Sequence, residues 1–147
     1  DAGVIEYRLY VPRPLLAKSS VAPDISSVLK NVPLAAMDVP GDYNDEVENI
    51  ARKYSGSVGI QFRYSTMANI FSMVQQGACA GILPRIINGI LDPKACWELE
   101  SPEMKAFRRP LSLCWRKRMV EIRDDTRILI EFIARGIRAQ LDLANQY

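Results

Sequence analysis

The chain of 147 residues predicts an α/β fold with a mostly parallel sheet covered by helices. Two observations carry that expectation. Short apolar runs alternate with helical apolar periodicity through the middle of the chain, giving a β-α-β-α-β order that favours parallel strands and right-handed crossovers. The stretch from Ser65 to Pro84 then shows the unit in full: a capped helix start, an apolar helix face, a glycine stop and a short buried strand ending at proline.

The elements follow in order. Residues Val4 to Val11 alternate like a strand, with Pro12 and Pro14 closing it. Ala17 to Lys30 reads as a polar connection, with one helical turn at Asp24 to Leu29. Pro33 to Val39 reads as a buried strand. Asp42 to Tyr54 is a helix, because Tyr43, Val47, Ile50, Ala51 and Tyr54 share one face. Asp42 or Asn44 caps it, Asp45 and Glu46 suit its dipole, and Gly56 follows its end. Val58 to Tyr64 is the next strand.

Ser65 or Thr66 caps the following helix, whose Met67, Ile70, Phe71 and Val74 fall at helical spacing. Gly77 supplies a left-handed exit, and Ala78 to Leu83 has the small apolar character of a strand buried on both faces. Arg85 to Leu91 makes one or two helical turns, Ala95 to Leu99 a short strand and Ser101 to Phe107 a loop. Arg109 to Arg116 alternates Leu111, Leu113 and Trp115 against polar neighbours, a period-2 strand. Asp125 to Asn145 is a long helix with a buried stripe of Ile128, Leu129, Phe132, Ile133, Ile137 and Leu141. Gly136 inside it costs about 1 kcal/mol of propensity relative to alanine.

Composition removes several classes. A net charge of +2 does not mark a nucleic-acid binder, and the cluster Arg108, Arg109, Arg116, Lys117, Arg118 reads as a solvated strand end. There are three cysteines, Cys79, Cys96 and Cys114, without CxxC spacing, which argues against a disulfide framework or a zinc site. All three are expected among apolar residues, in a reducing compartment. The chain has no histidine, which removes the usual general base and the commonest metal ligand. No phosphate loop, nucleophile elbow or HExxH is present. GACAG follows a helix and precedes a strand, the reverse of a dinucleotide fingerprint. The expectation is therefore no enzyme, no cofactor and no metal. No run is apolar enough to span a membrane, and no secretory signal is visible.

Five stretches, in this order, resemble the effector-binding domain of LysR-type transcriptional regulators: IEYRLYVPRPLLA, PLAAMDVPGDYNDEVENI, the Ser65 helix with VQQG and ILP, RRPLSLCWRKRM and DTRILIEFIARGI. Two departures stand out. Cys79 occupies the place of the family's second glycine, with Gly81 appearing later, and the opening part of the family's first lobe has no counterpart here. The resemblance implies a type 2 periplasmic-binding-protein-like fold with the first lobe incomplete. Residues 1–30 would be a hinge strand and connection from the first lobe, 31–108 the second lobe, and 109–147 the returning hinge strand and C-terminal helix. The two hinge strands would run in opposite directions.

The resemblance further implies a cytoplasmic sensor of a small molecule, working as a homo-oligomer. DNA would be reached only through a winged helix-turn-helix not found in this sequence. The apolar face of the last helix and the hinge strands would then lack their usual cover, favouring a dimer or larger species. The alternative is an extracytoplasmic solute-binding protein of a transporter.

The sensing residues are expected at two helix starts at the carboxyl ends of strands, where α/β sheets bind ligands. Free N–H groups there favour an anion, so a small organic acid is the expected effector. The candidates are Tyr43, Asn44, Gln61, Arg63, Tyr64, Ser65 and Thr66. All but Gln61 have a structural alternative. Ser65, Thr66 and Asn44 are also natural caps, Arg63 also fits an outward strand face, and Tyr43 and Tyr64 also fit packing roles.

Overall fold

The computed structural model describes residues 2–19, 22–54, 59–123 and 125–146. The expected helix stop at Gly56 and strand start at Val58 lie outside them.

Six strands among the described residues form one sheet. They are β1 (Gly3–Pro12), β2 (Leu34–Met37), β3 (Ile60–Tyr64), β4 (Ala80–Pro84), β5 (Cys96–Leu99) and β6 (Arg108–Leu111). The order is β3-β2-β4-β1-β5, with β6 also paired to β1. β2 runs parallel to β3 and to β4, while β1 is antiparallel to β4, β5 and β6. Five strands thus share one direction and β1 opposes them. This is the mostly parallel α/β sheet that the sequence predicts.

Among the described residues seven α-helices accompany it: α1 (Arg13–Ser19), α2 (Ile25–Asn31), α3 (Asp42–Tyr54), α4 (Met67–Gln75), α5 (Pro102–Ala106), α6 (Lys117–Ile122) and α7 (Asp125–Gln146). Side-chain alternation along β1 divides the core in two. Tyr7, Leu9 and Val11 join Val28 and Leu29 of α2, Val47 and Ile50 of α3 and Met104 of α5 on one face. Tyr10 joins Ile70 and Val74 of α4, with Cys79, Leu83 and Leu91, on the other.

Helix ends follow local chemistry. Thr66 caps α4, its Oγ1 accepting from Asn69 N at 3.3 Å. At the far end Gly77 takes φ +78°, Gly77 N–H donates to Val74 O and Ala78 N–H to Met73 O, both at 3.0 Å. That paired closure requires a left-handed residue, which glycine adopts without steric penalty. Gly81 answers a different need. A Cβ there would stand 2.8 Å from Ile70 Cγ2 and 2.9 Å from Val74 Cγ2, so the missing side chain is what lets α4 lie close on β4.

Five expectations are corrected. Ser101 to Phe107 is not a loop: Ser101 Oγ accepts from Met104 N at 3.2 Å and Pro102 opens α5. The expected polar connection begins with α1, where Pro14 fits the first helical turn. The strand predicted over Arg109 to Arg116 is strand only to Leu111, which lies opposite Gly3 of β1. Within the expected stripe of α7 only Leu141 is buried; Ile128 and Phe132 are each 71% exposed. Cys114, expected among apolar residues, is exposed, whereas Cys79 and Cys96 are buried.

Charges under the sheet are paired. Glu6 Oε2 accepts from Arg8 Nη2 at 2.9 Å, and Glu98 Oε1 lies 3.2 Å from Arg85 Nε and 3.5 Å from Arg8 Nε. Arg85 Nη1 also donates to Asn145 O at 3.0 Å, fastening the end of α7 to this cluster.

Candidate functional site

The carboxyl ends of β2 and β3 lie side by side, with Met37 opposite Tyr64. From that edge the chain turns into α3 after β2 and into α4 after β3. Both helix starts therefore meet one hollow of about 440 Å³. Asp42, Tyr43 and Asn44 line it from α3, Met67 from α4, and Tyr7 and Arg109 from β1 and β6.

Its floor is aromatic. Tyr7 stacks on Phe107 with ring centroids 4.6 Å apart, and Tyr43 lies 5.3 Å from Tyr7 and 5.7 Å from Phe107. Tyr43 is buried, and its hydroxyl donates to Ile82 O at 2.5 Å. Burial pushes the Tyr43 phenol up and does the same to Tyr7, where Arg109 pulls partly the other way. Both phenols are neutral donors at ordinary pH.

The polar groups are few and placed. Asn44 is buried; its Nδ2 donates to Glu48 Oε1 at 3.1 Å, while its Oδ1 has no hydrogen-bond partner among the described residues. A buried unpaired acceptor is costly, by about 1–3 kcal/mol. Arg109 brings the positive charge, with Nη2 3.1 Å from Asp42 Oδ2. Asp42 is almost fully exposed, so that pairing is a weak surface contact.

The sequence candidates divide. Tyr43 and Asn44 line the hollow. Tyr64 is half-buried at the adjoining end of β3, its ring 6.5 Å from Phe62. Ser65 is exposed in the turn beside it, and Thr66 caps α4. Arg63 is exposed and donates to Glu48 Oε1 at 2.9 Å and Met37 O at 3.4 Å. Its charge holds the Glu48 carboxyl below the usual range. Gln61 is exposed near the amino-terminal end of β3. None of these last five is among the residues lining the hollow. Arg109 is the residue that sequence reasoning missed. It is 67 positions from Asp42, and nothing local announces their meeting.

Comparison with known proteins supports the architecture. No family model matches the chain, and no curated protein sequence matches it. Solved structures do. A cysteine mutant of Corynebacterium glutamicum OxyR, a LysR-type regulator, is similar over 97% of this chain and 44% of its own, at 16% identity and a TM-score of 0.54. A cysteine-to-serine mutant of the same protein, with H2O2 bound, is similar over 97% and 45%, at 15% identity and a TM-score of 0.56. The chain thus spans less than half the length of these structures. At such identity the likeness is one of fold: a periplasmic-binding-protein-like α/β architecture.

Proposed function

We propose that this chain is part of the ligand-sensing domain of a LysR-type transcription regulator, and that its effector is a small organic acid held in the hollow between the starts of α3 and α4. The single observation behind this reading is the convergence there of two helix starts, the Arg109 guanidinium and the unpartnered Asn44 Oδ1 over an aromatic floor. Helix starts and a guanidinium favour a carboxylate. Asn44 Oδ1 calls for a donor on the same molecule, such as a hydroxyl or amide N–H.

The peroxide bound in the OxyR structure is a poorer fit for this hollow. Peroxide chemistry works through a low-pKa, accessible thiol. Burial holds the Cys79 thiol up at about 11 and also raises Cys96. Cys114 is exposed and is not among the residues lining the hollow.

Effector binding would act by favouring one arrangement of the regulator over another, through differential affinity. Oligomer contacts would pass the change to DNA-binding domains elsewhere in the gene product. The exposed apolar face of α7 supports association into a dimer or larger species. Among the described residues no helix is long and apolar enough to cross a membrane.

Calorimetric titration with a panel of organic acids tests the reading. A carboxylic acid is expected to bind, and Arg109→Gln or Asn44→Ala to weaken it by roughly tenfold or more, the value of one charge-assisted or buried hydrogen bond. Binding of neutral or cationic compounds alone would overturn it. A signal peptide in the upstream reading frame, in place of a helix-turn-helix, would favour a solute-binding protein instead.

A further inference from the structure

A larger hollow of about 600 Å³ lies elsewhere, between the segment after β4 and the ends of β1 and β5. Its volume falls in the range of roughly 300–1,000 Å³ usual for small-molecule sites. We infer that it is a second binding site, for a small zwitterion with an apolar side chain, of the α-amino acid type.

Its walls are mainly apolar, with Leu91, Pro93, Cys96 and Trp97 facing the Tyr10 ring. Two opposite charges stand in that lining. Arg13 holds its guanidinium over Trp97, 5.3 Å from the ring centroid, and its Nε and Nη2 both donate to Pro93 O at 3.3 Å. The stacking and the carbonyl fix the group in place, yet Nη1 has no hydrogen-bond partner among the described residues. Asp92 Oδ1 accepts from Lys94 N at 2.8 Å, which leaves Oδ2 likewise without a partner. Neither charge joins an ion pair among the described residues.

The remaining polar wall is paired, by hydrogen bonds or, at Glu98 Oε1, by ion pairs without a hydrogen bond. Tyr10 Oη donates to Asn88 Oδ1, and Asn88 Nδ2 donates to Glu98 Oε2 at 2.8 Å. Glu98 is balanced by Arg85 and Arg8 behind it. The hollow therefore offers a partner for a carboxylate at Arg13 and for an ammonium at Asp92, both exposed to solvent, with apolar walls beside them. A simple anion would meet the Asp92 carboxylate unopposed. A hydrocarbon would desolvate both charges without replacing their water, which is costly.

The site also reaches the rest of the fold. The chain of contacts Tyr10–Asn88–Glu98–Arg85 ends on Asn145 O, which links this hollow to the anchor of α7.

The test is titration of the full polypeptide with free L-amino acids, read by calorimetry and by tryptophan fluorescence. The chain has two tryptophans, so Trp115→Phe leaves Trp97 as the sole reporter. An amino acid with a large aliphatic or aromatic side chain is expected to bind and change Trp97 emission. N-acetylation or C-amidation of that ligand, Arg13→Gln or Asp92→Asn should each weaken it roughly tenfold or more. Asn44→Ala, in the other hollow, should leave it unchanged. Three results would overturn the inference. They are no binding by any apolar amino acid at millimolar concentration, binding indifferent to both variants and both blocked ligands, and binding lost in Asn44→Ala but kept in Arg13→Gln. Since the organic-acid titration has its own variants, either site can fail without the other.

Discussion

Helices α4 and α7 look alike in sequence and meet different fates. Each carries apolar residues at helical spacing. In α4, Ile70 and Val74 are fully buried against β4, and the absent side chain of Gly81 makes room for them. In α7, Ile128, Leu129 and Phe132 face outward, and the helix is held mainly by its C-terminal half, through Leu141 and the Arg85 contact at Asn145. Periodicity reports which side of a helix seeks cover. It says nothing of whether a partner for that side lies within the same stretch of chain.

Substitutions sharpen the contrast. Ile70→Ala should have the largest effect, destabilising by about 2–5 kcal/mol as other large-to-small core changes do. Chemical denaturation measures it, and a loss below about 1 kcal/mol would mean that α4 is not clamped to the sheet as described. Gly81→Ala should come next, at about 1–3 kcal/mol, since the added methyl must displace Ile70 or Val74. An unchanged midpoint would show that α4 rides higher on β4 than these contacts require. Phe132→Ser should change stability least, within about 0.5 kcal/mol, as exposed positions do. Its expected signature is reduced self-association in light scattering. A large loss of stability would show that the outer face of α7 is covered within the monomer.

The legible parts of the fold were those that local chemistry decides. The bounds of helix α3 were readable because its apolar face and acidic first turn agree, although Asp42 and Asn44, expected as caps, both lie inside the helix. The same was true of α4, fixed by Thr66 and Gly77. The short helix α5 had its signals, Ser101 before Pro102, but five residues are too few for periodicity to show. Leu111, Leu113 and Trp115 alternate well enough for a strand, yet alternation supplies no neighbour, and the β1 ladder ends at Leu111.

The candidate hollow was half legible. Strand–helix order placed Tyr43 and Asn44 at the start of α3 beside the hollow, because topology brings helix starts to the carboxyl ends of parallel strands. Arg63 and Arg109 were indistinguishable as isolated arginines. Only the pairing of β6 with β1 carries the second into the hollow, and the contact of the first with Glu48 holds it at the sheet edge.

The placement of β1 has a consequence in time. It leads the sequence but lies inside the sheet, with Tyr7 paired to Pro84 and Leu9 to Leu99. During synthesis at ~5–20 residues per second, it must wait several seconds for those partners to emerge. Until then a ten-residue β segment travels without those partners. The β2–α3–β3–α4–β4 block can close on nearer partners first, and β1 joins once β4 and β5 are present.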